Sequence, residues 1–172
     1  MQTIDIPIRE LVSIPFHTRY AKFHIKTAAG TVYMRTSSDR HDEENDVVVM
    51  VDAEKFLALW RKHPNELFRS FAMGDPDVWR RDYKFAEAAD GFLNNHTNPV
   101  PLIDVECVSR ANGSWVGFNN GVTRTIYLLA NGCKCFPVES RFSSGAQDLF
   151  DLAGASGTSI ETIASLVSVR ST

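Results

Sequence analysis

The apolar positions of this chain follow two rhythms, one near two residues and one near four, so both strands and helices are expected. Residues 12–16 are short and apolar and read as a strand. Residues 20–27 and 31–35 flank Ala28-Ala29-Gly30, the pattern of a hairpin. The run Asp46-Val47-Val48-Val49-Met50-Val51 is β-branched and predicts a buried strand. Asp52 then offers an N-cap to a helix carrying Phe56, Leu57, Leu59 and Trp60, which Pro64 stops. Asp75-Pro76 starts a second helix, expected to reach about Asp90 with Trp79, Tyr83 and Ala86 near one face.

Further along, residues 94–99 read as a loop and 102–108 alternate loosely as a strand. Asn112-Gly113 marks a turn before a short strand at 114–118. Val122, Ile126, Leu129 and Ala130 stand at i, i+4, i+7 and i+8, a helical stripe that Gly132 closes. Another strand is expected at 134–138 and a helix at 146–153, stopped by Gly154. Thr158 and Glu161 have capping-box spacing and predict a last short helix. With no repeat or linker visible, the expectation is α+β: one domain over residues 1–172, with a mixed sheet flanked by helices.

The balance of 44% hydrophobic and 23% charged residues is that of a globular chain. It excludes a largely disordered, collagen-like or coiled-coil protein. No apolar run approaches the ~18 residues of a membrane span. No basic stretch followed by an apolar run opens the chain, so no secretory signal is expected. Net charge is -3, which argues against a dedicated duplex-DNA reader. That charge is uneven. Asp39, Asp42, Glu43, Glu44, Asp46, Asp52 and Glu54 stand against Arg40 alone, so this stretch carries -6 and the remainder +3. The stretch reads as a solvated acidic loop on a slightly basic body. Cys107, Cys133 and Cys135 have no zinc or redox spacing and are expected as buried thiols. The five His residues, including His41 among the acids, show no metal spacing either.

The chemistry concentrates where a strand meets a helix, at Asn119-Asn120-Gly121-Val122-Thr123-Arg124. The first N–H groups of a helix lack intrahelical partners, and the helix dipole makes that end partly positive. Gly121 permits a sharp turn or a close ligand, Thr123 adds a hydroxyl, and Arg124 adds a planar fork of donors. The junction is a candidate anion site built from Asn120, Gly121, Val122, Thr123, Arg124 and Thr125. The same pattern also serves as an ordinary strand-to-helix turn with a solvated Arg. Glu139 follows the next strand. A carboxylate there can reach a metal or activate water for phosphodiester cleavage, or simply be solvated or paired with Arg141. The segment Trp79-Arg80-Arg81-Asp82-Tyr83-Lys84-Phe85 interleaves aromatics with bases. It suits either contact with phosphates or an acidic partner, or an amphipathic helix burying Trp79 and Tyr83 under a wet basic rim of Arg80, Arg81 and Lys84.

The stretch from Asn119 to Gly132, followed by Phe136-Pro137-Val138, resembles the nucleotide-binding segment of the ParB/sulfiredoxin superfamily. Taken in order, Asp5 to Phe16, Gly74-Asp75-Pro76, Trp79 to Phe85, Asn98 to Leu102 and Asn120 to Glu139 resemble the plasmid fertility inhibition proteins, the group containing Osa, FiwA and FipA. This resemblance implies a ParB/sulfiredoxin-like core and a plasmid-borne, cytoplasmic protein beside the inner-membrane secretion machinery. Its expected role is to suppress conjugative or T-DNA transfer through a type IV secretion system. The implied partner is the coupling ATPase that recruits DNA, with non-sequence-specific DNA as a second. The family also implies ATPase and DNase activity using ATP and Mg²⁺, with Arg124 and Glu139 as the catalytic candidates. A regulatory nucleotide-binding module without turnover is a third possibility.

The departures narrow the expectation. Sulfiredoxins carry a catalytic Cys in this turn, where this chain has Val122 followed by Thr123, so peroxiredoxin repair is not expected. Partition-type ParB proteins carry a longer arginine-rich motif and a helix-turn-helix domain. A single Arg124 and a chain of 172 residues do not match them.

Overall fold

Residues 47–51 form the middle of β4 (Asp46–Asp52), with Val47, Val48, Val49 and Val51 all buried and neighbouring strands on both edges. A strand enclosed on both faces reads as a continuous apolar run rather than an alternation. The computed structural model describes residues 4–15, 19–37, 42 and 44–168. Phe16, expected at a strand end, and Asp39, Arg40, His41 and Glu43 of the expected acidic loop lie outside the described residues.

The described strands lie in two sheets. One runs β1 (Ile8–Val12), β2 (Tyr20–Thr27), β3 (Gly30–Arg35), β5 (Val100–Pro101). The other runs β7 (Gly113–Asn120), β6 (Ile103–Arg110), β8 (Cys135–Arg141), β4, β9 (Glu161–Thr162). Both are mixed: β3–β5 and β6–β8 pair parallel, and the remaining pairs are antiparallel.

Helices α1 (Ala53–Trp60) and α6 (Ala146–Ala153) pack on the second sheet. Asp52 caps α1, accepting from the N–H groups of Glu54 and Lys55 at 3.0 and 3.1 Å. The main core joins Phe23, Val49, Ile103 and Phe136 of the strands to Phe56 and Leu149 of these helices. A smaller cluster joins Trp60 to Ala72 and Trp79 and to Ile126 and Ala130 of α5 (Val122–Ala130). Phe118 links the two clusters, with ring centroids 5.9 Å from Phe56 and 4.7 Å from Trp60. Aromatic pairs of this kind contribute about 0.5–1.5 kcal/mol each beyond area burial.

Several expectations change. The strand expected at 12–16 lies earlier, as β1. The single helix expected over 75–90 is two, α3 (Pro76–Arg80) and α4 (Tyr83–Phe92). Asp75 and Asp82 each take an extended backbone and accept helix N–H bonds, so the second Asp restarts the chain seven residues after the first. A short α2 (Glu66–Ser70), capped by Asn65, precedes them. The capping box is not formed. Thr158 instead donates its hydroxyl to Ala155 O at 2.6 Å, and Glu161 enters β9 opposite Val48. Thr162 caps α7 (Ile163–Val167) in its place. The strand expected at 134–138 runs on to Arg141, which moves Glu139 from a strand end to a strand interior.

Candidate functional site

One end of the second sheet brings the candidate residues together. Asp104 of β6 lies opposite Asn120 of β7 on one side and opposite Glu139 of β8 on the other. Directly opposed residues share a face, so Asn120, Asp104 and Glu139 form one row across three strands. Ser37, just after β3, covers that face and donates its N–H to Glu139 Oε1 at 2.5 Å. Glu139 is fully buried and Asp104 half-buried. The expected pairing of Glu139 with Arg141 gives way to another, since Arg141 Nε donates to the buried Asp46 at 2.9 Å.

The chain turns from β7 into α5 through Gly121, whose φ of 102° lies in the left-handed region that favours glycine. A Cβ there would stand 3.0 Å from the Ile103 Cα and 3.1 Å from Arg124 Nη2. The first intrahelical bond runs from Thr125 N–H to Gly121 O, and among the described residues no side chain caps the N–H groups before it. Val122 and Thr123 are therefore the first residues of a helix with an uncapped, partly positive end.

Arg124 turns inward. Nη2 donates to Leu102 O at 3.4 Å, and Nε is buried with no hydrogen-bond partner among the described residues. Burial lowers its pKa, while the negative charge of Glu139 works in the opposite direction. The two candidates for catalysis, fifteen positions apart in sequence, are thus electrostatically coupled in the fold. Thr125 is buried, and its hydroxyl is spent on Gly121 O at 2.9 Å. Of the six residues expected to cradle an anion, Asn120 ends β7, Gly121 makes the turn, Val122 and Thr123 open the helix, Arg124 turns inward, and the Thr125 hydroxyl closes the turn.

The basic segment splits by role. Trp79 is buried and donates its indole N–H to Phe71 O at 2.7 Å. Arg80 Nη2 donates to Ala130 O at 2.6 Å, which satisfies the C-terminal end of α5. Tyr83, expected to be buried with Trp79, instead opens the separate helix α4 and is exposed, as are Arg81 and Lys84, with Lys84 Nζ 5.6 Å from the Tyr83 ring centroid. Asp104 was not singled out in sequence. Its signal was the alternation of residues 102–108 taken together with register, and register is not readable from one strand alone.

The three cysteines are buried and free, and burial raises their thiols to about 11, 11 and 12 for Cys107, Cys133 and Cys135. No described helix is long and apolar enough to cross a membrane.

Fold and site together define a mixed α+β protein in which the helix N-terminus after Gly121 stands beside an inward-turned Arg124 and a buried Glu139. A family model described as plasmid fertility inhibition factor matches residues 48–154, more than half of the chain, and the chain belongs to that family. It is 31% identical over 111 residues to the Protein osa of Shigella flexneri, across 64% of this chain and 58% of that protein. The chain thus spans under two thirds of that relative's length. Its fold matches the crystal structure, as a gold(I) cyanide derivative, of an Oncogenic Suppression Activity Protein, a plasmid fertility inhibition factor. The TM-score is 0.77 at 22% identity, covering 96% of this chain and 82% of the other.

Proposed function

We propose that this fertility inhibition factor blocks DNA transfer by a competing conjugative system, by docking on the coupling ATPase that feeds its type IV secretion channel. The family match across residues 48–154 carries this reading. The surface around α2–α4 supports a protein partner. Leu67, Met73, Val78 and Tyr83 are 70, 63, 47 and 76% exposed within one short segment. Apolar groups clustered this way on a soluble surface commonly mark interaction sites. Arg81 and Lys84 flank them. Co-purification of the coupling ATPase with this protein, beside a conjugation assay, is the test. Undiminished inhibition with no association would overturn the reading.

A second reading is favoured by the α5 N-terminus: a nucleotide-dependent hydrolase that turns over ATP or cuts DNA. The uncapped N–H groups of Val122 and Thr123 suit a phosphate. ATP would rest there, and the half-buried Asp104 opposite Asn120 is a carboxylate suited to a Mg²⁺ carried on its phosphates, whereas Glu139 is buried beneath Ser37. Arg124 would hold the turn against Glu139 and lend positive charge. Exchanging Arg124 for Ala, with folding checked by circular dichroism, should remove hydrolysis and inhibition together. A folded Arg124→Ala protein that inhibits fully would sink this second reading.

A further inference from the structure

β1 is the outer strand of the first sheet, and among the described residues it pairs with β2 alone. The direction of its free edge follows from β2. Ala21 donates its N–H to Thr36 Oγ1 at 3.1 Å and its carbonyl accepts from Thr36 N–H at 3.0 Å, so its backbone groups point to the β3 side. Antiparallel partners alternate between bonded and unbonded pairs. Lys22 and His24 therefore bond Glu10 and Ile8 of β1, while Arg9 and Leu11 turn their N–H and C=O groups outward. Such a row of open groups is a template for another strand.

The side chains do not protect this edge. Ile8 is 64% exposed, and Ile6 and Ile14, just beyond the two ends of β1, are 41 and 42% exposed. Arg9 and Leu11 lie opposite Phe23 and Ala21 of the core, so Ile8, Glu10 and Val12 share the other face. Ile6 and Ile14 have the same parity. Outward from Glu10, two positions away stand Ile8 and Val12, and four positions away Ile6 and Ile14. The apolar stripe is symmetric about Glu10. Pro7 and Pro15 lack an N–H, which confines donors to the residues between them.

We propose that β1 pairs antiparallel with β1 of a second copy of this chain, about a two-fold axis through Glu10. Such an axis sets positions equally distant from Glu10 opposite one another. Ile8 then meets the partner's Val12 and Ile6 the partner's Ile14, each twice by symmetry. Arg9 and Leu11 exchange N–H···O bonds with the partner's Leu11 and Arg9. Centring the pair on Arg9 or Leu11 would instead set Glu10 against Ile8 or Val12. The two Glu10 carboxylates meet at the axis, and like charges there oppose pairing. Each is offset by its own Lys22, with Nζ at 3.7 Å, and its own His24, with Nε2 at 2.5 Å. The first sheets of the two copies become one continuous sheet. This pairing needs neither the docking reading nor the nucleotide reading.

Sedimentation equilibrium of the full chain over roughly 1 μM to 1 mM spans the weak association expected of one strand pair. Wild type should rise toward twice the single-chain mass. Leu11→Pro removes an outward N–H that β2 does not use, and edge strands accept proline at such a position. It should raise the dissociation constant about tenfold or more, the scale of two bonds lost in a symmetric dimer. Ile8→Lys should act likewise, and it decides the matter where the proline variant fails a circular-dichroism check of folding. Cysteine variants test the register, since the native thiols are buried. Directly opposed Cβ atoms lie about 4.5–5.5 Å apart and diagonal ones farther. Mild oxidation should therefore link Glu10→Cys into a covalent dimer and Arg9→Cys far less. A wild type that keeps the single-chain mass at every concentration overturns the proposal and leaves the edge to a strand of another protein. A dimer that the folded variants retain at wild-type strength overturns it too, because the contact then lies elsewhere. Equal cross-linking of Arg9→Cys and Glu10→Cys overturns the register centred on Glu10.

Discussion

Gly121 and Arg124 share one tight space: a Cβ on Gly121 would lie 3.1 Å from Arg124 Nη2. The turn that opens α5 and the guanidinium that braces it therefore constrain each other. Gly121→Ala imposes a left-handed backbone on a residue with a side chain and presses on the guanidinium and on Ile103. It should cost about 1–3 kcal/mol, seen as a lower urea midpoint, and weaken ATP binding. An unchanged midpoint would show that the turn tolerates a side chain.

Arg124 and Glu139 should behave as one unit. Arg124→Ala leaves the buried Glu139 with less compensating charge, and Glu139→Gln removes the reason to hold the guanidinium there. A double-mutant cycle by chemical denaturation should return a coupling of about 0.5–3 kcal/mol, so that the double variant is more stable than the two single losses predict. Simple additivity would mean that the pair does not interact.

Arg80 and Arg81 are adjacent and should differ. Arg80→Ala removes the donor to Ala130 O and should cost about 1 kcal/mol of stability. Arg81→Ala should stay within about 0.5 kcal/mol and instead reduce retention of the coupling ATPase in co-purification. Equal stability effects from both would remove the capping role given to Arg80.

The edge strand β1 should loosen in acid. Glu10 accepts from His24 Nε2 at 2.5 Å, and this bond, helped by Lys22, holds its carboxyl below the ordinary value of 4.5. A carboxylate with a lowered folded pKa adds stability above its unfolded pKa and loses it as pH falls through the folded one. Glu10 is partly exposed, so the effect should be below about 1 kcal/mol. Thermal midpoints of wild type and Glu10→Gln should converge as pH drops below about 4. A constant gap across that range would assign the loss to other groups.

Much of this protein was legible one element at a time. The apolar run of β4, the Asp52 cap, the helical stripe from Val122 to Ala130 and the glycine at its start all appear in the fold as local chemistry dictates. Local propensity and periodicity depend on residues a few positions apart, and these signals lie within such windows. The candidate anion site was legible for the same reason, as a Gly at the junction of a strand and a helix. What pairs with what was decided elsewhere. Glu139 is buried because β8 runs two residues past Glu139 and Ser37, just after β3 of the other sheet, closes over it. Arg124 turns in to the carbonyl of Leu102, 22 residues earlier in sequence, because α5 packs against β6. The aromatic cavity beside α5 joins Trp60 and Phe68, eight residues apart, to Phe118 from the distant β7. Burial and register are properties of the packed chain, so long-range pairing, and not local pattern, determined which of these side chains meet.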